Sequence, residues 1–161
     1  MIGVNVICVG KLKEAYWRDA CAEYQKRLGA FCKINIVELP ESKLSQKPGE
    51  SEISAALASE GKLMRPYIEQ KGAYSIAMCI EGVQLSSEDL ARKIETSAVG
   101  GASVINFIIG SSFGLDPEIK RLCGHRLSIS KMTLPHQLAR VVVLEQIYRA
   151  FSINAGNKYH K

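Results

Sequence analysis

No stretch of about 18 apolar residues occurs in the 161-residue chain, so no segment has the composition of a membrane-spanning helix. Cysteine is sparse. Cys8, Cys21, Cys32, Cys79 and Cys123 are odd in number, widely spaced and never in CxxC form. That pattern excludes a disulfide frame and a zinc knuckle, and it fits reduced thiols in a cytosolic protein, each a small buried hydrophobe. His125, His136 and His160 stand without a ligand-like set of Cys or carboxylate neighbours, so no metal is expected. There is no GxGxxG, no Lys-Ser/Thr phosphate loop and no GxSxG. A nicotinamide oxidoreductase, a P-loop nucleotidase and a hydrolase of the nucleophile-elbow type each lose their fingerprint.

Acid is missing from one end. Residues 119–161 carry Lys120, Arg121, Arg126, Lys131, Arg140, Arg149, Lys158 and Lys161 against Glu145 alone, while the rest of the chain is slightly acidic. The whole has net charge +5. A cationic segment of this kind suits a polyanion such as nucleic acid.

What is present alternates. Residues 2–9 form a nearly continuous apolar run and read as a buried first strand rather than a signal peptide. Trp17, Cys21, Tyr24 and Leu28 recur at helical spacing before Gly29, a C-cap candidate. Residues 34–39 read as a second strand, and 41–49, rich in polar residues with Pro and Gly, as a mobile loop. Ser51 is positioned to cap a helix carrying Ile53, Leu57, Met64 and Ile68. Residues 74–80 form a third strand, ended by a turn at Gly82. Ser86 with Asp89 resembles a capping box for a helix that turns Leu90, Ile94 and Ala98 inward. Residues 104–109 read as the best candidate for a buried strand and run into Gly-Ser-Ser-Phe-Gly at 110–114. A short helix over 115–122, a strand over 126–129 and a long helix starting near Pro135 complete the chain. Alternating strands and helices give an α/β class with a mostly parallel sheet flanked by helices, in one domain over 1–161. Ligands in such folds sit beyond the C-terminal ends of the strands, which selects the loops after 80, 109 and 129.

His136 and Arg140 fall four residues apart at the start of the last helix, where free N–H groups and a cation suit an anion. Glu145 and Arg149, also four apart, read as a helix ion pair. The terminal Asn-Lys-Tyr-His-Lys offers an aromatic, a histidine and two cations to a base and its phosphates.

FIIGSSFGL at the fourth strand, SKMTLPHQLARVVVLEQIYRAF and the terminal Tyr-His resemble the RlmH family. VGKLKEAYW and EYQKRL near the start extend the resemblance over the whole chain. The family comprises SPOUT-class methyltransferases that act on a pseudouridine of bacterial 23S rRNA. The resemblance implies a SPOUT fold with a C-terminal trefoil knot over about residues 75–161. It implies a cytoplasmic homodimer that uses S-adenosyl-L-methionine to methylate N3 within the assembled ribosome. It implies a cofactor pocket of Met78, Gly110, Ile129, Ser130, Lys131, Met132, Thr133 and Leu134. His136, Arg140, Tyr159 and His160 are then the catalytic candidates, with His136 and Arg140 facing RNA. Two positions depart from the family pattern: Ser111 replaces a usual second glycine, and Cys79 a usual acidic residue. Those departures keep an alternative in view, a non-catalytic RNA- or ribosome-binding factor with a relic pocket.

Overall fold

A computed structural model describes all residues 1–161. Five strands and five helices follow in strict alternation: β1 (Gly3–Val9), α1 (Ala15–Leu28), β2 (Lys33–Leu39), α2 (Glu50–Ile68), β3 (Ala73–Gln84), α3 (Ser87–Val99), β4 (Val104–Ile109), α4 (Pro117–Leu122), β5 (His125–Ser128) and α5 (His136–Asn154). The strands form one sheet in the order β2-β1-β4-β3-β5, every pairing parallel. Parallel strands need covered faces, and the side-chain period of two supplies both. Val4, Val6 and Cys8 of β1 and Ile105, Phe107 and Ile109 of β4 face a core shared with Cys21, Leu90, Ile94, Val143, Leu144 and Ile147 of α1, α3 and α5. The intervening Ile7, Val9 and Ile108 face a smaller core with Met64 of α2 and Ile119 of α4.

Several elements differ from the sequence reading. α2 begins at Glu50 behind Gly49, which has no side chain to cap it; Ser51 already lies in the first turn. Ala98 is exposed. α4 starts behind Asp116, whose side chain accepts the Glu118 N–H at 3.2 Å. β3 does not end at Ile80. It bulges at residues 79–82 and resumes at Val83, so that Leu127 of β5 pairs with both Met78 and Val83. Gly82 is needed there by close approach: a Cβ would stand 2.8 Å from the Arg126 and Leu127 carbonyl carbons. The 40–49 connection is pinned to α2. The Ser42 hydroxyl donates to the Ala56 carbonyl at 3.3 Å, and Ser45 donates from its backbone N–H and its hydroxyl to Glu52 at 2.7 and 2.8 Å. The capping box holds: the Asp89 N–H donates to the Ser86 Oγ at 3.0 Å.

Candidate active site at the strand ends

The turn after β4 is closed on itself. Gly110 is buried, and a Cβ there would lie 2.1 Å from the Gly114 carbonyl oxygen. The Gly114 N–H donates to the Ser111 carbonyl at 2.9 Å, and Gly114 itself takes φ +89°. Both glycines are therefore demanded by the turn. Beside it, the ends of β3 and β5 and the flanks of α3 and α5 enclose a cavity of about 310 Å³. Met78, Leu85, Leu90, Phe107, Leu127, Ile129, Val142 and Val143 form its apolar walls, with Ser86, Ser87, Ser128 and Gln146 as polar points. A larger open groove of about 710 Å³ runs along α3 between Tyr74 and Ala102. It lies at the N-terminal starts of β3 and β4, where this class of sheet does not place ligands.

Of the eight residues expected around the cofactor, Met78 and Ile129 line the cavity. The turn from Ile129 to Leu134 is ordered locally: the Ser128 hydroxyl donates to the Ser130 carbonyl and the Met132 N–H to the Ser130 hydroxyl, both at 3.0 Å. Lys131, Met132 and Thr133 are exposed and Leu134 is half-buried. Gly110 belongs to the adjoining turn. Cys79 is half-buried, and burial followed by the nearby Glu81 charge raises its pKa. Its thiol therefore does not replace the charge of a carboxylate at that position.

α5 starts at His136 behind Pro135, and His136 is half-buried. Arg140 does not share an RNA-facing surface with it, which corrects the expectation from spacing. Its side chain turns into the protein and the residue is 2% exposed. Nη1 donates to Glu38 Oε2 at 2.8 Å and Nη2 to the Gly10 carbonyl at 3.1 Å. A buried guanidinium takes whatever acceptors lie beside it, and here they are the ends of β1 and β2.

The terminal segment folds back onto α5. The Tyr159 hydroxyl donates to Glu145 Oε1 at 3.1 Å, and its ring packs edge-on against Tyr148 with centroids 4.7 Å apart. The Arg149 guanidinium lies 4.8 Å from the Tyr159 centroid, and its Nε donates to Glu145 at 3.0 Å. His160 bridges Arg149 and Glu88, its ring nitrogens 3.2 and 2.8 Å from them. Burial, then the neighbouring Tyr24 and Glu145, push the Tyr159 phenol up to about 12. Glu145 connects this cluster to the cavity wall, since Gln146 donates to it at 2.7 Å and Ser87 donates to Gln146 at 2.7 Å. The i, i+4 spacing gave the Glu145–Arg149 ion pair, but no local signal placed the tail on it. Glu88 and Gln146 were likewise not picked out.

Residues 2–160 match the family model described as "Predicted SPOUT methyltransferase". The chain belongs to the SPOUT methyltransferase family. A relative from Bifidobacterium adolescentis, named Ribosomal RNA large subunit methyltransferase H, is 50% identical over 98% of this chain and 99% of its own length. A relative of the same name from Ligilactobacillus salivarius is 45% identical over 99% and 100%. Among solved structures, one described as a methylase family protein from Neisseria gonorrhoeae is similar in fold, with TM-score 0.55 over 91% of this chain and 82% of that one at 14% identity. SPOUT membership turns attention to a methyl-donor cofactor, and the cavity fits one in kind. It is apolar with a few polar points, sits at the strand ends and falls at the lower edge of ordinary ligand-pocket volumes.

Proposed function

We propose that the chain is a cytoplasmic S-adenosyl-L-methionine-dependent methyltransferase acting on N3 of a pseudouridine in 23S rRNA of the assembled ribosome. The observation that carries this reading is the full-length similarity to relatives named for methylation of large-subunit rRNA. Residues 1–161 then act as one domain, knotted over about 75–161. A homodimer is supported by the exposed apolar side chains of Ile80, Val83, Ile129 and Met132 near the ends of β3 and β5, which a second copy would cover.

The bound cofactor supplies a methyl group already activated on a sulfonium. The task left to the chain is alignment, exclusion of water and removal of the N3 proton. Met78, Gly110 and residues 129–134 hold the cofactor. Leu85, Leu90, Phe107 and Val143 give the cavity its dry walls. His136, at the open start of α5, accepts the N3 proton. Tyr159 and His160, steadied by Arg149 and Glu145, close on the base. Arg140, buried on Glu38 and Gly10, holds α5 to the exits of β2 and β1 and makes no contact with RNA.

Mass spectrometry of 23S rRNA from cells with and without the gene tests the reading; an N3-methylpseudouridine unchanged by deletion would refute it. Calorimetry separates the relic-pocket alternative, which requires no cofactor binding even at millimolar concentration. For His136, single-turnover methylation by His136→Ala is expected to slow by about 10²-fold or more. An unchanged rate removes it from the mechanism.

A further inference from the structure

The polar side chains in the wall of the cavity are Ser86, Ser87, Ser128 and Gln146; the rest of the wall is apolar. Each serine has already spent its one hydroxyl hydrogen. The Ser86 Oγ donates to Asp89 Oδ2 at 2.8 Å, the Ser87 Oγ to Gln146 Oε1 at 2.7 Å and the Ser128 Oγ to the Ser130 carbonyl at 3.0 Å. Gln146, half-buried on α5, is therefore the one side chain that still has an N–H to offer a ligand there.

A carboxamide carries two N–H donors and two acceptor lone pairs. Gln146 uses one of each: Nε2 donates to Glu145 Oε2 at 2.7 Å, and Oε1 accepts from Ser87. One N–H and one lone pair are left over. The partners also fix which way round the amide stands. The Glu145 carboxylate, held at its other oxygen by Arg149 and Tyr159, can only accept, so the amide nitrogen must face it. Turning the amide over would set Oε1 against Glu145 Oε2, acceptor on acceptor.

An amide locked in this way distinguishes the order of a donor–acceptor pair, not merely its polarity. It matches a ring edge on which an amino donor stands beside a ring-nitrogen acceptor, as in adenine. A 6-oxopurine presents the reverse order, an O6 acceptor beside an N1–H donor. The apolar walls, Leu90 and Phe107 among them, suit the faces of such a ring. We propose that Gln146 is a specificity-determining residue for the cofactor's base, its locked amide selecting adenine and rejecting a 6-oxopurine. The proposal rests on the methyltransferase reading of the cavity.

The experiment is calorimetry on the full chain with two probes, S-adenosyl-L-homocysteine and S-inosyl-L-homocysteine. They differ in the group at C6 and the hydrogen on N1, and neither has a methyl to transfer. Wild type is expected to bind the adenosyl compound about 30-fold more tightly, within the range of one bidentate amide contact. Gln146→Leu and Gln146→Met, similar in size but without the N–H, are each expected to lower that ratio at least about fivefold. Thermal unfolding selects the variants that are folded. A residue that merely supports the wall changes both affinities alike and leaves their ratio in place. A wild-type ratio below about fivefold, or a smaller drop than that in a folded variant, overturns the role of Gln146 alone. If wild type binds neither compound, the methyltransferase reading falls and the inference falls with it.

Discussion

The Arg140 guanidinium is held between the Glu38 carboxylate and the Gly10 carbonyl, joining α5 to the exits of β2 and β1. Arg140→Gln leaves Glu38, itself partly solvated, without its cation and strands the Gly10 carbonyl. Urea denaturation is expected to show a loss of about 2 kcal/mol, less than for a pair buried on both sides because water reaches Glu38. The same substitution should leave the salt dependence of RNA binding as it was, since a side chain tied to Glu38 releases no counterions. Tyr159 makes a second prediction at this scale. Its folded pKa lies at about 12, above the ordinary 10.0, with burial the leading cause. The neutral phenol is therefore favoured by the docked tail. Its contribution to docking is complete below pH 10 and is lost as pH rises through about 12. Tyrosinate absorbance of wild type minus Tyr159→Phe should titrate in that upper range. A difference spectrum centred at or below the ordinary value would mean that the tail is undocked.

β3 carries the candidate site because it is interrupted. Pairing with β5 is broken at 79–82 and restored at Val83, which sends Leu85, Ser86 and Ser87 to the cavity wall and starts α3 there. The bulge depends on Gly82, whose missing side chain lets β5 approach. Gly82→Ala meets backbone, not a movable side-chain tip, so thermal unfolding should report a loss of about 1–3 kcal/mol. Cofactor affinity should fall with it. The continuous apolar runs of β1 and β4 made these elements legible in the sequence, because both faces of each strand are covered. The capping box was legible because its partners are three residues apart. The bulge was not: Gly82 reads equally as a turn, and only the approach of β5, more than 40 residues later in the chain, makes it a strand residue. Arg140 and the tail were misjudged or missed for the same reason. Their partners, Glu38, Gly10, Glu145 and Glu88, are set by tertiary folding, and helical spacing says nothing of what lies across from a helix.

At the scale of the molecule, the charge segregated in the sequence does not survive folding as a free cationic surface. Lys120 pairs with Glu81, Arg121 with Glu118, Arg140 with Glu38 and Arg149 with Glu145. Three of those four carboxylates come from the acidic part of the chain, so the fold returns its acid to the basic segment. Arg126, Lys131, Lys158 and Lys161 are all exposed and make none of the ion pairs. Only cations able to exchange counterions for phosphate contribute to the salt dependence of binding, at about 0.7–0.9 of a unit of slope each. The segment's share is therefore about 3 units per protomer, not the 6 or so that eight free cations would give. Fluorescence anisotropy of labelled rRNA over a salt series tests this. Arg126→Ala, Lys131→Ala, Lys158→Ala and Lys161→Ala should each lower the slope by just under one unit, while Lys120→Gln and Arg121→Gln leave it in place. A slope that drops equally for all six would mean that the pairs seen with Glu81 and Glu118 give way to phosphate on binding. The electrostatic surface offered to RNA would then be made by the complex rather than by the folded chain.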